Sequence, residues 1–103
     1  MHTITLEVIK LNISVTDLLK LPNPNIIDIR TIENFNNNHI PGSKNISAKD
    51  LLVSPSNYLN KSEIYYIYCK HGLTSPKLCQ ILRNQGYNVV NVIGGYEAWL
   101  LQS

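Results

Sequence analysis

The sequence predicts an α/β fold on a mainly parallel five-stranded sheet with helices on both faces. Three observations carry this. Five short segments rich in β-branched and aromatic residues alternate with segments that carry helix caps and apolar stripes. Two of them, 26–29 and 64–68, are almost continuously apolar or aromatic, as suits strands buried on both faces. The chain has 103 residues, 44% hydrophobic and 16% charged, which is the size and composition of one globular domain over 1–103.

The elements follow in order. Residues 4–8 read as the first strand. Ser14 caps a helix over 15–21, whose stripe is Leu18, Leu19 and Leu21. The strand 26–29 precedes a short helix at 31–36, and 44–46 forms the next strand. A helix over 50–59 is interrupted near Pro55. After the strand 64–68, Ser75-Pro76 opens the clearest helix. Ser is a good N-cap, and Pro is favoured at the first helical position because its missing N–H is not needed there. Leu78, Ile81 and Leu82 form its apolar face, and Gly86 ends it. The strand 89–93 leads through Gly94-Gly95, a tight turn, into a last helix at 96–102.

Charge and composition exclude several functions. Seven Lys and two Arg against seven acids give a net charge of +2 with no basic run. This speaks against nucleic acid as a partner and leaves room for a small anionic substrate. No apolar stretch approaches the roughly 20 residues that span a bilayer, so no membrane association is expected. Glu7 and Lys10 interrupt the opening stretch, which does not read as a targeting segment. The two cysteines make neither a disulfide framework nor a CxxC pair for redox chemistry or zinc. A reducing cytoplasm is therefore the expected location, and the sequence calls for no metal and no cofactor.

The chemistry concentrates in Tyr68-Cys69-Lys70-His71-Gly72-Leu73-Thr74-Ser75-Pro76. Cys69 falls at the carboxyl end of a buried strand, where open α/β sheets bind ligands. A short Gly-containing loop between strand and helix turns N–H groups inward, and the helix N-terminus adds to their field. Such a nest favours an anion and lowers the pKa of a thiol at its centre. Lys70 and Lys77 add positive charge. A lone cysteine is also commonly a small buried residue, and the loop by itself leaves the two readings level.

The remaining motifs separate them. Ile27-Asp28-Ile29-Arg30 is followed by Glu33, Phe35, His39-Ile40-Pro41-Gly42-Ser43 and Asn45-Ile46. Then come Tyr68-Cys69 with the Gly72 loop, and finally Gly94-Gly95-Tyr96-Glu97-Ala98-Trp99. In this order and spacing the chain resembles the rhodanese-type single-domain sulfurtransferases over about residues 26–101. The resemblance implies the rhodanese fold and a sulfurtransferase of the thiosulfate type. It implies that Cys69 is the catalytic nucleophile and carries a persulfide. Thiosulfate or a persulfide donor would charge it, and cyanide or another thiophile would take the sulfur. Many members carry Arg where this chain has Thr74. The pattern Cys-x-His-Gly followed by two hydroxyl residues is similar to small bacterial thiosulfate sulfurtransferases that also lack that Arg.

On this reading the loop Lys70, His71, Gly72, Leu73, Thr74 and Ser75 binds the donor. Backbone N–H groups hold the terminal sulfur, Thr74 and Ser75 line the loop, and Lys70 gives compensating charge. His71 is expected at the solvent lip rather than as a base. Asp28 and Arg30 lie beside the site, fixing the loop–helix junction through an Arg30–Glu33 or Asp28-to-backbone contact. Cys79 is expected to be an inert buried thiol. A Cys-dependent phosphatase or arsenate reductase is disfavoured, because the sixth residue after Cys69 is Ser75 and not the Arg that clamps an oxyanion. The alternatives left open are a carrier that passes sulfur between proteins of a sulfur relay and a non-catalytic rhodanese-like binding module.

Overall fold

A computed structural model describes residues 10–102. Its five strands are β1 (Asn12–Ile13), β2 (Asn25–Asp28), β3 (Ser43–Asn45), β4 (Ile64–Tyr68) and β5 (Asn88–Val92). They form one sheet in the order β1-β5-β4-β2-β3, and every pairing is parallel. The strand expected at 4–8 lies outside the described residues; the described edge strand is β1. Strands β2, β3 and β5 each start and end one residue earlier than the apolar pattern predicts. Their leading residues are polar, and all three side chains take backbone partners: Asn25 donates to the Ile64 carbonyl, Ser43 to the Ile40 carbonyl and Asn88 to the Lys61 carbonyl.

Helices cover both faces, as expected for a parallel sheet. Helix α3 (Ala48–Val53) and α4 (Ser75–Asn84) lie on one face, where Leu51, Leu78, Cys79 and Leu82 pack on Ile27, Tyr65, Ile67 and Val89. Helix α1 (Val15–Leu18) and α5 (Gly95–Gln102) cover the other, with Val15, Leu18, Tyr96 and Trp99 against Ile26, Tyr68, Val90 and Val92. The alternation of the two sets along β4 and β5 is the period-two pleat of a doubly covered strand. Helix α2 (Ile32–Asn37) has no buried residue.

Local chemistry sets the helix ends. Ser14, Thr31 and Ser47 each accept an N–H three residues on, the bond that marks an N-cap. Helix α1 stops at Leu18, short of the expected 21: Lys20 and Leu21 donate three residues back, to Asp17 and Leu18, in a tighter turn, and Pro22 disfavours helical geometry at Leu21. The expected 50–59 segment is α3, begun two residues earlier at its Ser47 cap, and a separate 3₁₀ turn at Pro55–Asn57. Helix α4 departs from expectation at its start. Thr74 holds the cap position with no side-chain bond, Ser75 is already helical, and Pro76 is one place further in. The Ser75 hydroxyl is thus free of capping and turns into the molecule.

Candidate active site

Cys69 follows β4 at the carboxyl edge of the sheet, with its sulfur against Ser75 at the start of α4. Three groups reach its Sγ. The N–H of Gly72 donates at 3.2 Å and the N–H of Ser75 at 3.4 Å. The thiol itself donates to Ser75 Oγ at 3.3 Å. Thr74 contributes a further backbone N–H. Burial alone raises a thiol pKa, and it opposes ionisation here. The Ser75 hydroxyl and the N–H groups of Ser75, Thr74 and Gly72 outweigh it, so the Cys69 pKa lies below that of an ordinary thiol.

The loop holds this shape because its carbonyls are engaged elsewhere. Tyr96 N–H donates to the Cys69 carbonyl at 2.8 Å, and Glu97 N–H to the Lys70 carbonyl at 3.0 Å. The first amides of α5, which have no partner within the helix, thus take the outward side of the loop and leave its N–H groups facing the sulfur. The close approach requires glycine at two places. Gly95 has φ +59°, and a Cβ there would stand 2.2 Å from the Cys69 carbonyl oxygen. A Cβ on Gly72, φ +78°, would stand 2.7 Å from Gly94 N. The Gly94-Gly95 pair is therefore more than a tight turn: it is the seat of the Cys69 loop.

The other predicted residues occupy distinct places. Lys70 and Thr74 are exposed on the rim. Leu73 is 81% exposed. His71 is half-exposed at the lip, where its Nδ1 meets Glu97 Oε1 at 2.7 Å. Ser75 is fully buried, and its hydroxyl donates to Asn91 Oδ1 at 2.5 Å. Asn91 in turn donates from Nδ2 to Asn12 Oδ1 at 3.0 Å.

Asp28 and Arg30 form a buried ion pair with each other. Arg30 donates from Nε at 3.1 and 3.0 Å and from an amino group at 2.7 Å to the carboxylate. The Arg30 backbone N–H also donates to Asp28 at 2.8 Å, which is the expected Asp28-to-backbone contact. Glu33 is not the partner of Arg30, whose guanidinium also donates to the Asn38 carbonyl at 2.6 Å. Burial works against the Arg30 charge, but the Asp28 hydrogen bonds and carboxylate prevail and raise its pKa. Tyr68 donates to Asp28 at 2.5 Å, and burial together with that bond pushes its hydroxyl up to about 12. The Arg30 guanidinium stacks 3.9 Å over the Tyr96 ring. Since Tyr96 N–H holds the Cys69 carbonyl, the pair reaches the Cys69 loop through α5.

Sequence reasoning did not single out Asn91. Its signal was present: one amide residue inside the apolar run Val89-Val90-Asn91-Val92. Cys79 is fully buried on α4, and burial pushes its thiol up to about 11.

Comparison with known proteins identifies the family and the fold. The Rhodanese-like domain family matches residues 13–102. The thiosulfate sulfurtransferase GlpE of Shewanella oneidensis is 32% identical over 78 residues, covering 72% of this chain and 73% of that protein. YrkF of Bacillus subtilis, which bears a sulfur-carrier name, is 34% identical over 76 residues; these cover 73% of this chain but only 40% of YrkF. Among solved structures, a rhodanese-like domain protein from Staphylococcus aureus is 39% identical with a TM-score of 0.70, covering 82% of this chain and 81% of that one. A rhodanese-related protein from Thermoplasma volcanium is 26% identical with a TM-score of 0.82, covering 89% and 92%. The fold and the family match coincide over almost the whole described chain, which belongs to the rhodanese-like sulfurtransferase family.

Proposed function

We propose that the protein transfers sulfane sulfur through a persulfide on Cys69, taking it from thiosulfate or a persulfide donor and giving it to a thiophilic acceptor. The observation that carries this is the convergence of the Gly72 and Ser75 N–H groups on one sulfur at 3.2 and 3.4 Å. The Cys69 thiolate attacks the outer sulfur of thiosulfate. The S–S bond of the donor breaks, and sulfite leaves with the bonding pair. The product is Cys69–S–S⁻, whose terminal charge the loop N–H groups stabilise as an oxyanion hole stabilises oxygen. A thiophile such as cyanide then attacks the terminal sulfur and restores the thiolate. Both steps balance in atoms and charge, and neither is assigned a general base, because the loop donors lower the Cys69 pKa and bring the thiolate within easier reach. His71, held at the lip by Glu97, has no part in either step.

Leu73, Thr74 and Lys70 form an open rim with no Arg among loop residues 70–75. That supports a second reading of the same site, in which a protein of a sulfur relay delivers the persulfide. The sulfur-carrier name of YrkF points the same way. Free thiols at Cys69 and Cys79 suit a reducing compartment, and the cytoplasm is the proposed location. Among the described residues no helix is long and apolar enough to cross a membrane.

Intact mass spectrometry tests the reading. Incubation with thiosulfate, or with a cysteine desulfurase and cysteine, is expected to add one sulfur atom to the wild-type protein and none to Cys69→Ser. Loading from the desulfurase alone selects the relay reading. Loading from neither donor, with Cys69 free and reactive, contradicts sulfur transfer.

A further inference from the structure

A line of polar side chains runs from the sheet edge to the reactive sulfur. Asn12 is exposed on β1 and stands beside Asn91 in the β1–β5 register. Asn91 is 4% exposed and lies on the α4 face of β5. In the described state the hydrogen bonds all point away from the sulfur. The Cys69 thiol donates to Ser75 Oγ, the Ser75 hydroxyl to Asn91 Oδ1, and Asn91 Nδ2 to Asn12 Oδ1.

This direction fits a thiol and conflicts with a thiolate. Ser75 has one hydroxyl proton. While that proton is on Asn91, the Ser75 oxygen presents only lone pairs to the sulfur 3.3 Å away. Once Cys69 is ionised, the favourable arrangement turns the proton to the sulfur. Asn91 Oδ1 then loses its donor in a buried site, which costs free energy unless another donor arrives. An amide can meet this demand, because rotation by half a turn exchanges its acceptor for a donor with little change in shape.

We infer that Asn91 is a positioning residue that sets the direction of the Ser75 hydroxyl, and that the Asn12–Asn91–Ser75 chain reverses when Cys69 changes charge. In the reversed chain Asn12 Nδ2 donates to Asn91 Oδ1, Asn91 Nδ2 to Ser75 Oγ, and the Ser75 hydroxyl to the thiolate. Every hydrogen stays on its own heavy atom; only the thiol proton leaves, to solvent. Asn12 completes the change at the exposed edge, where water serves either direction of its amide. The inference rests on the reading of Cys69 as a nucleophile used in its thiolate form. Other titratable groups on elements packed round Cys69 are Lys70 and His71 on the loop, Lys77, Cys79 and Arg83 on α4, Tyr65 and Tyr66 on β4, Glu97 and Tyr96 on α5, and the Asp28–Arg30–Tyr68 cluster. None of them is hydrogen-bonded to Ser75 or Asn91 by side chain among the described contacts, so the chain reports on Cys69 itself.

The test is the pH profile of Cys69 alkylation by iodoacetamide in the full-length protein, which requires no sulfur transfer. In Asn91→Asp an ionised carboxylate is acceptor-only, keeps the Ser75 proton and lowers the neutral-pH rate by about tenfold, equivalent to about 1.4 kcal/mol. In Asn91→Leu the hydroxyl has only the sulfur to bond, and the rate rises by about threefold, the thiol form being left with an unpartnered donor. Both effects are expected to shrink to less than half, on a logarithmic scale, when Ser75→Ala is added. Shifts of the same sign in the two variants, or shifts unchanged by Ser75→Ala, overturn the inference and leave Asn91 acting by packing or by charge through space. If a variant fails to fold, the wild-type protein decides. The Asn91 side-chain amide NMR signals are expected to move with the same midpoint as alkylation and to stay still in Cys69→Ser. Signals that stay still in the wild type overturn the reversal. A normal alkylation profile with no sulfur loading sinks the sulfurtransferase reading instead and leaves this one standing.

Discussion

Cys69 and Cys79 lie ten positions apart, the first with its sulfur against the start of α4 and the second on that helix, and both are buried: 7% and 0% exposed. Their acidities diverge. Cys79 is surrounded by apolar packing and goes up to about 11, the approach of Arg83 offsetting only part of the cost of burial and the charge of Cys69 adding to it. Cys69 goes down, although burial opposes its ionisation too, because three N–H groups and one hydroxyl meet at its sulfur. Depth therefore does not decide which thiol is reactive. Backbone direction does, and backbone direction is set by the β5–α5 turn that holds the loop carbonyls.

The most severe way to test the contrast removes the sulfur. Cys69→Ser is expected to keep the fold, seen as an unchanged cooperative melt, and to lose sulfur transfer by orders of magnitude, as loss of a covalent nucleophile does. Retention of more than about a tenth of wild-type turnover would contradict the assignment.

A second variant leaves both cysteines in place and disturbs only the seat. In Gly95→Ala the new Cβ meets the Cys69 carbonyl and displaces the loop. Turnover is expected to fall about a hundredfold, the scale of losing an oxyanion-hole donor. The alkylation midpoint of Cys69 moves toward that of an ordinary thiol. A folded Gly95→Ala protein with unchanged Cys69 reactivity would show that the N–H cradle does not depend on the turn.

Adding charge at the rim sharpens the contrast. Thr74 exposes its side chain while its carbonyl accepts the Leu78 N–H, so Thr74→Arg changes the mouth without touching that backbone bond. A guanidinium contacts two oxygens of a dianion, and a charged hydrogen bond contributes about 1.5–3 kcal/mol, so the thiosulfate KM is expected to fall about tenfold. The gain should fade with added salt. An unchanged KM in a folded variant favours a donor other than thiosulfate.

The smallest effect belongs to the other thiol. Cys79→Ala is expected to keep turnover within about twofold and to cost about 1 kcal/mol of stability through the small cavity it leaves. A large loss of turnover with a cooperative melt would bring Cys79 into sulfur handling and end the contrast.

Much of this arrangement was legible in the sequence, for stated physical reasons. The apolar run Ile64–Tyr68 marked a central strand, and Cys69 at its end followed from where that run stops. Four of the five strands lie within one residue of their predicted bounds. What was not legible depends on partners far along the chain. The Ser75 hydroxyl was read as a cap from its neighbour Pro76, but Asn91, sixteen residues on, claims it. Of the two contacts the sequence suggests for Asp28 and Arg30, Asp28 to backbone forms and Arg30–Glu33 does not, because the fold buries Arg30 against Asp28 and stacks it on Tyr96. Gly94-Gly95 was visible as a turn, yet the loop it carries comes from another strand. Spacing along the chain reports local geometry, whereas Ser75–Asn91, Arg30–Tyr96 and Gly95–Cys69 join elements far apart in sequence.

The central claim is that converging donors rather than burial make one cysteine the reactive one. Its most direct test is alkylation of the native protein across pH, with Cys69 and Cys79 resolved by peptide mass spectrometry. Cys69 is expected to react first, with a midpoint below the roughly 8.5 of a free thiol, while Cys79 stays protected with a midpoint near its value of about 11. Equal midpoints, or Cys79 reacting at lower pH than Cys69, would contradict the account.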